Sequence, residues 1–537
     1  MKKIVILVLF MIIGTLTGCV NGIVEPTVNE LDVETVELLI ETLPLEITLE
    51  DRAQVEDLRA RFNALNGDEQ KLVYNIDVLE NAEITIAALD AEIAAIELVK
   101  SEKLAELKRV ADILLAELPS VAFDNLTFKY FYATVLGNIS ISWASSDINT
   151  ISQSGIVIPG HEDTIVRLTA YMNLGGVSNS FSKDILVKAI EFDPLPVGNT
   201  VFAYAFGLSH GFDERAKETI DVVNHAFALI KNGEVNMTAQ DQNSRPGVLQ
   251  LRKEGIRVLL CIGGYGDAAI PWSMAAYTEE GRVKLAKSIV DNVVKYNYDG
   301  VDVDWEYPGF YNPGNVYDWS ITTAEDSANY TLLMKEIKKQ LDEVNEDFIL
   351  SAAVPGGPWA TTRYEIANLT PVLDYFNLMT YDLDDQNRST HLTGLYESSN
   401  TLHPVCTVDG TVNYYLSKAG EAIRNKLVVG AAFYVRQFKD SEGIGQTASS
   451  KSSIGYSKFK SDYLDKGYVE QWDDVAKAPY LVDEENNFVF SYDSPRSIKE
   501  KSKYITDNGL AGIMFWQYAQ DSSGTLVNAI YEGLKLK

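Results

Sequence analysis

The sequence predicts a multidomain protein whose largest part is a (β/α)8 barrel, preceded by a helical module and a β-sandwich. Three observations support this prediction. Strand-like runs alternate with amphipathic runs after residue 199, short strands with turn residues fill residues 118–190, and apolar residues recur at helical spacing over residues 48–117. A chain of 537 residues is long enough for about three such domains.

The composition excludes some classes of function. The hydrophobic fraction of 46% is ordinary for globular domains, whereas the formal net charge of −30 would repel the phosphates of nucleic acids. We therefore expect no nucleic-acid partner. The three cysteines, Cys19, Cys261 and Cys406, form neither a disulfide framework nor a metal-binding spacing, so we expect no metal site and no cofactor.

The N-terminus resembles a bacterial lipoprotein signal. Two lysines precede an apolar run from Ile4 to Ile13, and Leu16-Thr-Gly-Cys19 is similar to the lipobox, whose cysteine is lipidated and becomes the mature N-terminus. The resemblance implies a signal peptide over residues 1–18 and a lipid anchor on Cys19 at the outer face of a bacterial membrane. Secretion behind a plain signal peptide is the alternative, and the run is too short for a transmembrane helix.

Two segments follow before the strands begin. Residues 19–47 are acidic and lack clear periodicity, so we expect a tether. Over residues 48–117, apolar side chains recur at helical spacing behind a possible capping signature at Thr48–Asp51, which predicts a helical bundle or spacer. This stretch is similar to the helical modules repeated in bacterial surface proteins.

Residues 118–190 change to short strands. Apolar residues alternate with serine over Ile139–Trp143, and Pro159-Gly160 and Gly175-Gly176 mark turns, a pattern that predicts a β-sandwich. The stretch resembles bacterial immunoglobulin-like domains through its Ile-Ser-Trp run and Leu168-Thr-Ala. Such a module implies a spacer or, alternatively, a sugar-binding domain.

After a proline-containing linker, a repeated strand–helix rhythm runs from residue 199 to residue 537 and predicts the (β/α)8 barrel. The segment at about 437–500 is too long and too aromatic for a strand–helix loop, so we expect an insertion there. The eight candidate barrel strands are Val201–Phe206, Val222–Leu229, Arg257–Ile262, Gly300–Trp305, Phe348–Val354, Tyr375–Tyr381, Leu427–Phe433 and Gly512–Tyr518.

One strand carries a row of carboxylates. In Asp-Gly-Val-Asp302-Val-Asp304-Trp-Glu306, side chains alternate between faces, so the last three acids share one face at Cα spacings of about 6–7 Å. Three acids so close in a buried barrel cannot all ionise without a large electrostatic and desolvation cost, so the pKa of at least one of them must rise. Glu306 lies nearest the C-terminal barrel face, which suits a general acid. A solvated acidic strand end is the alternative. Three acids that alternate with Val and Trp in an apolar strand would then lower the stability of the fold and serve no function.

The pattern Asp-Gly-x-Asp-x-Asp-x-Glu is the signature of glycoside hydrolase family 18, the chitinases and their relatives. The chain from about residue 199 onward resembles that family. Met379-Thr-Tyr-Asp382, Phe433–Arg436 and Gly512–Tyr518 are similar to its motifs at the sixth, seventh and eighth strands, and Asn224–Phe227 fits the second. The resemblance also implies that the insertion is a small α+β wall that deepens the cleft.

One position departs from the family pattern. Cys261 stands where the third strand usually has a serine, which helps to hold the first acid of the row. A thiol is a weaker hydrogen-bond partner than a hydroxyl. We expect this departure to shift the pH optimum without removing activity.

The resemblance implies hydrolysis of β-1,4-linked N-acetylglucosamine polymers, chitin or chitooligosaccharides, by substrate-assisted retaining catalysis. Glu306 would be the acid, and Asp304 would stabilise the attacking acetamido group of the substrate. Tyr381 would donate to the acetamido oxygen, and Asp302 would share a proton with Asp304 and position it. The resemblance further assigns substrate binding to Trp516, Met379, Asp382, Arg436, Tyr204, Phe227 and Trp359.

Two other functions compete with this hypothesis. An endo-β-N-acetylglucosaminidase acting on N-glycans shares the same acid row. A sugar-binding lectin would use an inactive barrel, but such relatives typically lose the acid, and here Glu306, Asp304 and Tyr381 are all present.

Overall fold

The computed structural model describes residues 32–208, 211–238, 243–266, 269–309 and 325–536, without the side chains of Ala269 and Trp359. Two compact units divide the chain. The first runs to Leu118 and includes Phe128–Ala144 and Thr169–Lys183, and the second comprises Pro119–Thr127, Ser145–Leu168 and Asp184 onward. No helix within the described ranges is long and apolar enough to span a membrane.

The first unit begins with three α-helices, Val33–Ile40, Arg52–Ala64 and Ile76–Glu117. Helical structure therefore starts within residues 19–47, which were predicted as a tether. The first helix is capped by Asp32, whose carboxylate accepts from the amide of Thr35 at 2.8 Å, and its residues Val36 and Ile40 are buried in the helical core. Tertiary packing stabilises this short helix, which has too few turns for a periodic signal.

One five-stranded sheet occupies the predicted sandwich region, with strands Val121–Ala122, Phe131–Thr134, Gly137–Ser145, Thr164–Leu174 and Val177–Val187. Its spatial order places the first strand beside the fifth, followed by the fourth, third and second. One face is buried, and there Trp143 stacks on Phe128 with ring centroids 4.6 Å apart. A two-sheet sandwich with immunoglobulin-like character stays a prediction.

The second unit contains a closed barrel of eight parallel strands, which confirms the predicted barrel. Each strand pairs with its neighbours in sequence order, and the first pairs with both the second and the eighth. The strands are β1 (Thr200–Phe206), β2 (Val222–Lys231), β3 (Arg257–Tyr265), β4 (Gly300–Glu306), β5 (Ile349–Pro355), β6 (Tyr375–Met379), β7 (Leu427–Ala432) and β8 (Gly512–Trp516). A short strand, Glu234–Asn236, pairs antiparallel with the end of β2.

Helices surround the barrel, and alternation along its strands separates two apolar cores. Val301, Val303 and Trp305 of β4 pack in the larger core, while Phe202 and Tyr204 of β1 belong to a separate cluster. The α-helices of this unit are Glu214–Thr219, Arg245–Lys253, Ala269–Ala276, Glu279–Lys295, Asp326–Val344, Pro358–Thr361, Ile366–Leu369, Val408–Ala419, Tyr456–Asp462, Pro495–Asn508 and Thr525–Ile530, followed by a π-helical turn at Tyr531–Lys535.

The insertion follows β7 directly and contains a five-stranded antiparallel sheet. The insertion starts at Tyr434, three residues before the predicted start at about residue 437, because its first strand follows β7 almost directly. Its last strand ends at Ser491. The helix Tyr456–Asp462 completes this small α+β element. Its strands are Tyr434–Lys439, Ser450–Gly455, Gln471–Asp473, Ala478–Asp483 and Phe488–Ser491.

Candidate active site

The carboxylate row of β4 leads to a cavity of about 760 Å³. Asp302 and Asp304 are buried along the strand, and Glu306 is partly exposed at its C-terminal end. Of the predicted residues, those lining this cavity are Tyr204, Phe227, Asp304, Glu306, Met379, Tyr381, Asp382, Arg436 and Trp516. Among the described residues, no cluster of His, Cys, Asp and Glu is arranged to hold a metal.

Asp302 lies at the inner end of the row and accepts four hydrogen bonds. One carboxylate oxygen accepts from the hydroxyl of Tyr204 at 2.9 Å and the thiol of Cys261 at 3.1 Å. The other accepts from Ser351 Oγ at 2.6 Å and Asn377 Nδ2 at 3.0 Å. Burial raises the pKa of Asp302, and these donors oppose the rise because they stabilise the charged form.

Asp304 has a different environment from Asp302. Its burial and the nearby charges of Glu306 and Asp302 raise the pKa of Asp304 well above its usual range. One of its carboxyl oxygens is buried and has no hydrogen-bond partner among the described residues. That oxygen is therefore available to a donor on a bound ligand, since buried polar atoms are otherwise nearly always satisfied.

Glu306 has the proton affinity of a general acid at neutral pH. Burial raises the pKa of Glu306 to about 7, and the negative charge of Asp382 contributes to this rise. A hydrogen bond with the Tyr307 side chain acts in the opposite direction. A carboxyl with this pKa is protonated in a substantial fraction of molecules at neutral pH and can both donate and accept a proton.

Aromatic side chains form one wall of the cavity. The indole of Trp516 stacks near the ring of Phe227 with centroids 5.7 Å apart, and the ring of Tyr204 lies 5.5 Å away. Tyr381 is buried, and its hydroxyl lies 3.8 Å from the sulfur of Met514. Burial raises the pKa of Tyr381 far above neutrality, so its hydroxyl is a neutral donor.

A charged cluster connects the insertion to the barrel. Asp382 follows β6 with φ of 54° and accepts hydrogen bonds from Tyr434 at 2.6 Å and from the guanidinium of Arg436. The same guanidinium lies 3.1 Å from the carboxylate of Asp384, which also accepts from Lys451 at 2.8 Å. Each of the two aspartates is thus neutralised by a cation from the insertion.

Two predicted residues fall outside this description. Cys19 lies beyond the described residues, and the side chain of Trp359 is likewise not described. Asp302 does not line the cavity but contacts it through Tyr204. The roles of all the predicted site residues stay predictions.

Sequence analysis missed several residues of the site. Ser351 and Asn377 lie two positions before cavity residues on β5 and β6, so strand alternation contained the signal for both. Asp384 lies two positions after Asp382, and its place in the sequence is a weaker indication that it belongs to the site. Lys451 enters the cavity because its strand pairs with the strand of Arg436, a register that short polar strands do not specify.

Comparison with known proteins identifies the barrel. A family model described as glycosyl hydrolases family 18 matches residues 202–521. Chitinase A1 from Niallia circulans is 31% identical over 324 residues, which cover 54% of this chain and 45% of that protein. The chain therefore spans about half the length of this curated relative.

Two solved structures have similar folds. A glycoside hydrolase family 18 N-acetylglucosaminidase from Paenibacillus barengoltzii is 32% identical with a TM-score of 0.57, covering 63% of this chain and all of that chain. A chitinase from Paenibacillus sp. str. FPU-7, described as a cell-surface-expressed multi-modular enzyme, is 26% identical with a TM-score of 0.56. This match covers 76% of the present chain and 40% of that chain.

Proposed function

The chain belongs to glycosyl hydrolase family 18, and from that premise we propose that it hydrolyses β-1,4-linked N-acetylglucosamine polymers, chitin or chitooligosaccharides. The observation that carries this proposal is the Glu306 carboxyl, which lies at the cavity end of the acid row with a pKa raised to about 7. The similarity to chitinase A1 and to an N-acetylglucosaminidase supports the substrate class.

The proposed reaction proceeds in two displacements. Glu306 gives its proton to the glycosidic oxygen, while the acetamido oxygen of the substrate attacks the anomeric carbon from the far face. Asp304 accepts from the acetamido N–H, and Tyr381 donates to the acetamido oxygen. The ionised Glu306 then takes a proton from water, whose oxygen opens the oxazolinium intermediate and restores the original configuration.

The environment of the acids supports a nucleophile supplied by the substrate. Asp304 lies two residues from Glu306 on the same strand, so both carboxyls approach the sugar from one side. Asp382 is engaged by Arg436 and by the hydroxyl of Tyr434, which makes it a poor candidate for an enzymatic nucleophile.

The anomeric configuration of the first product tests this mechanism. Chitotetraose is digested inside an NMR tube, with the Glu306→Gln variant as the inactive control. We expect β product, because two inversions retain the configuration. A chain of partly deacetylated chitosan should be cut only where an acetylated sugar precedes the cleaved bond. An α product, or glucosamine at the new reducing ends, contradicts substrate assistance.

Cleavage of an N-glycan core is the competing activity, because the same acid row would serve it. Digesting chitotetraose and a high-mannose glycopeptide side by side separates the two. We expect cleavage of chitotetraose and an intact glycopeptide. The opposite pattern assigns the protein to endo-β-N-acetylglucosaminidases, and binding of both without cleavage assigns it to lectins.

We also propose that the protein is attached to the outer face of a bacterial membrane through acylated Cys19. The lipobox-like Leu16–Cys19 behind an apolar run supports this location. The similarity to a chitinase that is expressed at the cell surface agrees with it. Mass spectrometry of the mature N-terminus should find an acyl-modified cysteine, and Cys19→Ser should release the protein or leave it unprocessed.

A further inference from the structure

The five-stranded sheet has an uncharged groove on its exposed face, and the residues that line this groove belong to the first compact unit. Three neighbouring strands line a depression of about 500 Å³. None of its lining residues carries a charge, although the whole chain has a formal net charge of −30. The side chains that face outward along it are Ser140, Ser142, Tyr171, Asn173, Ser178 and Ser180.

Two exposed aromatic rings lie on this same face. Phe131 on the edge strand pairs with Ser140, and residues directly opposite each other on antiparallel strands share a face. The ring of Phe131 is 74% exposed and that of Tyr171 is 54% exposed. The strand of Ser140 lies between them, so their backbones are roughly 10 Å apart across the sheet.

The other face of the sheet holds this arrangement rigid. Ile139, Ile141 and Trp143 are buried there, and the indole N–H of Trp143 donates to the carbonyl of Lys129 at 3.0 Å. On the exposed face, the amide of Asn173 donates to the hydroxyl of Ser178 at 2.7 Å. The groove therefore presents its side chains from strands whose backbones are held by packing on the opposite face.

We propose that this face, the sheet platform formed by Phe131, Ser140, Tyr171 and Ser180, binds the neutral N-acetylglucosamine polymer that the catalytic cleft cleaves. The inference rests on the proposed function. Aromatic rings offer broad, rigid surfaces to the C–H faces of sugars, while hydroxyls and amides exchange hydrogen bonds with sugar hydroxyls and acetamido groups. An uncharged groove on a strongly acidic protein fits a neutral polymer and not a charged one.

Adsorption to insoluble chitin tests the platform in the full chain. The Glu306→Gln background keeps the polymer intact, and depletion isotherms compare it with the additional double substitution Phe131→Ala/Tyr171→Ala. We expect the double variant to bind chitin at least about tenfold more weakly, because the contacts of both rings with the polymer are lost. Tyr74→Ala is the matched control, because Tyr74 is 68% exposed among the helices of the same unit and should leave adsorption unchanged.

Hydrolysis of soluble chitotetraose separates this inference from the proposed function. With Glu306 intact, the double variant should keep its kcat/KM on chitotetraose and lose rate on insoluble chitin. Unchanged adsorption of a folded double variant overturns the platform. A concentration-dependent dimer that disappears in the double variant, measured by sedimentation equilibrium, also overturns it, because the face would then bind a second copy. Wild-type protein without activity on chitotetraose contradicts the proposed function instead.

Discussion

The thiol of Cys261 lies 3.1 Å from the same carboxylate oxygen of Asp302 that accepts from Tyr204 at 2.9 Å. A thiol is a weak donor, so Cys261 adds less to the stability of the charged carboxylate than a hydroxyl would. Ser351, at 2.6 Å from the other oxygen, is the closest of the four donors. The charge of Asp302 is therefore held chiefly by oxygen and nitrogen donors.

Replacing this thiol should move the acidic limb of the pH profile. Cys261→Ser supplies a stronger donor, which stabilises the carboxylate and lowers the pKa of Asp302, so activity should persist to lower pH. Cys261→Ala removes the donor and should shift the limb to higher pH. The measurement is kcat/KM on chitotetraose against pH. Shifts of both variants in one direction would mean that Asp302 does not set this limb.

Asp382 should control the basic limb. Activity falls as pH rises through the pKa of Glu306, about 7, because the acid loses its proton. Asp382→Asn removes a negative charge that raises this pKa and leaves Arg436 paired with Asp384 alone, so the basic limb should move to lower pH. Asp385→Asn, at another cavity carboxylate, is the control and should leave the limb in place. A shift of the limb to higher pH would refute the assignment.

Glu306→Gln should separate activity from stability. We expect turnover to fall by about a hundredfold or more, since general acid catalysis is typically worth about 10² to 10⁴. The folded-state pKa is raised above the unfolded value, so ionisation costs stability progressively between pH 4.5 and about 7. The glutamine variant should therefore be more stable at pH 8, by about 1–3 kcal/mol, and not at pH 4. Urea unfolding at both pH values measures the difference in the free energy of unfolding between the variant and the wild type. The same difference at pH 4 and at pH 8 would contradict the raised pKa of Glu306.

Removing the residues before Gly198 should lower stability more than activity. Arg252 is fully buried, donates to Asp299 at 2.9 Å, and donates to the carbonyl of Pro159 at 3.2 Å. A chain that begins at Gly198 lacks that carbonyl and therefore loses a hydrogen bond from a charged side chain, which is worth about 1.5–3 kcal/mol.

The measurements for this truncation are the free energy of unfolding in urea and kcat/KM on chitotetraose at 25 °C. We expect reduced stability with near-normal kcat/KM, because every predicted catalytic side chain lies after residue 198. A chain that begins at Asp32 retains Pro159 and is the control. Equal stability of the two truncated chains would show that the contact of Arg252 with Pro159 contributes nothing.

The repeated strand–helix rhythm was enough to predict the barrel. Strand alternation predicted the shared face of Asp302, Asp304 and Glu306, because a period of two fixes which side chains face inward. The same rule applied to β5 and β6 points to Ser351 and Asn377, which were not predicted because neither belongs to a charged motif. Local periodicity does not predict contacts that depend on how elements distant in the sequence pair with each other. The helix Val33–Ile40 and the cavity position of Lys451 depend on such pairing and were therefore missed.

Arg436 and Lys451 enter the cavity from two paired strands of the insertion and neutralise Asp382 and Asp384, which belong to the loop after β6. The barrel and its insertion are consequently not interchangeable parts. A chimera that received the insertion of a relative without these cations would carry two uncompensated carboxylates close to Glu306. Its acid would then titrate at a different pH even though no residue of the barrel had been altered. The insertion and the two aspartates of the loop after β6 would therefore have to be exchanged together.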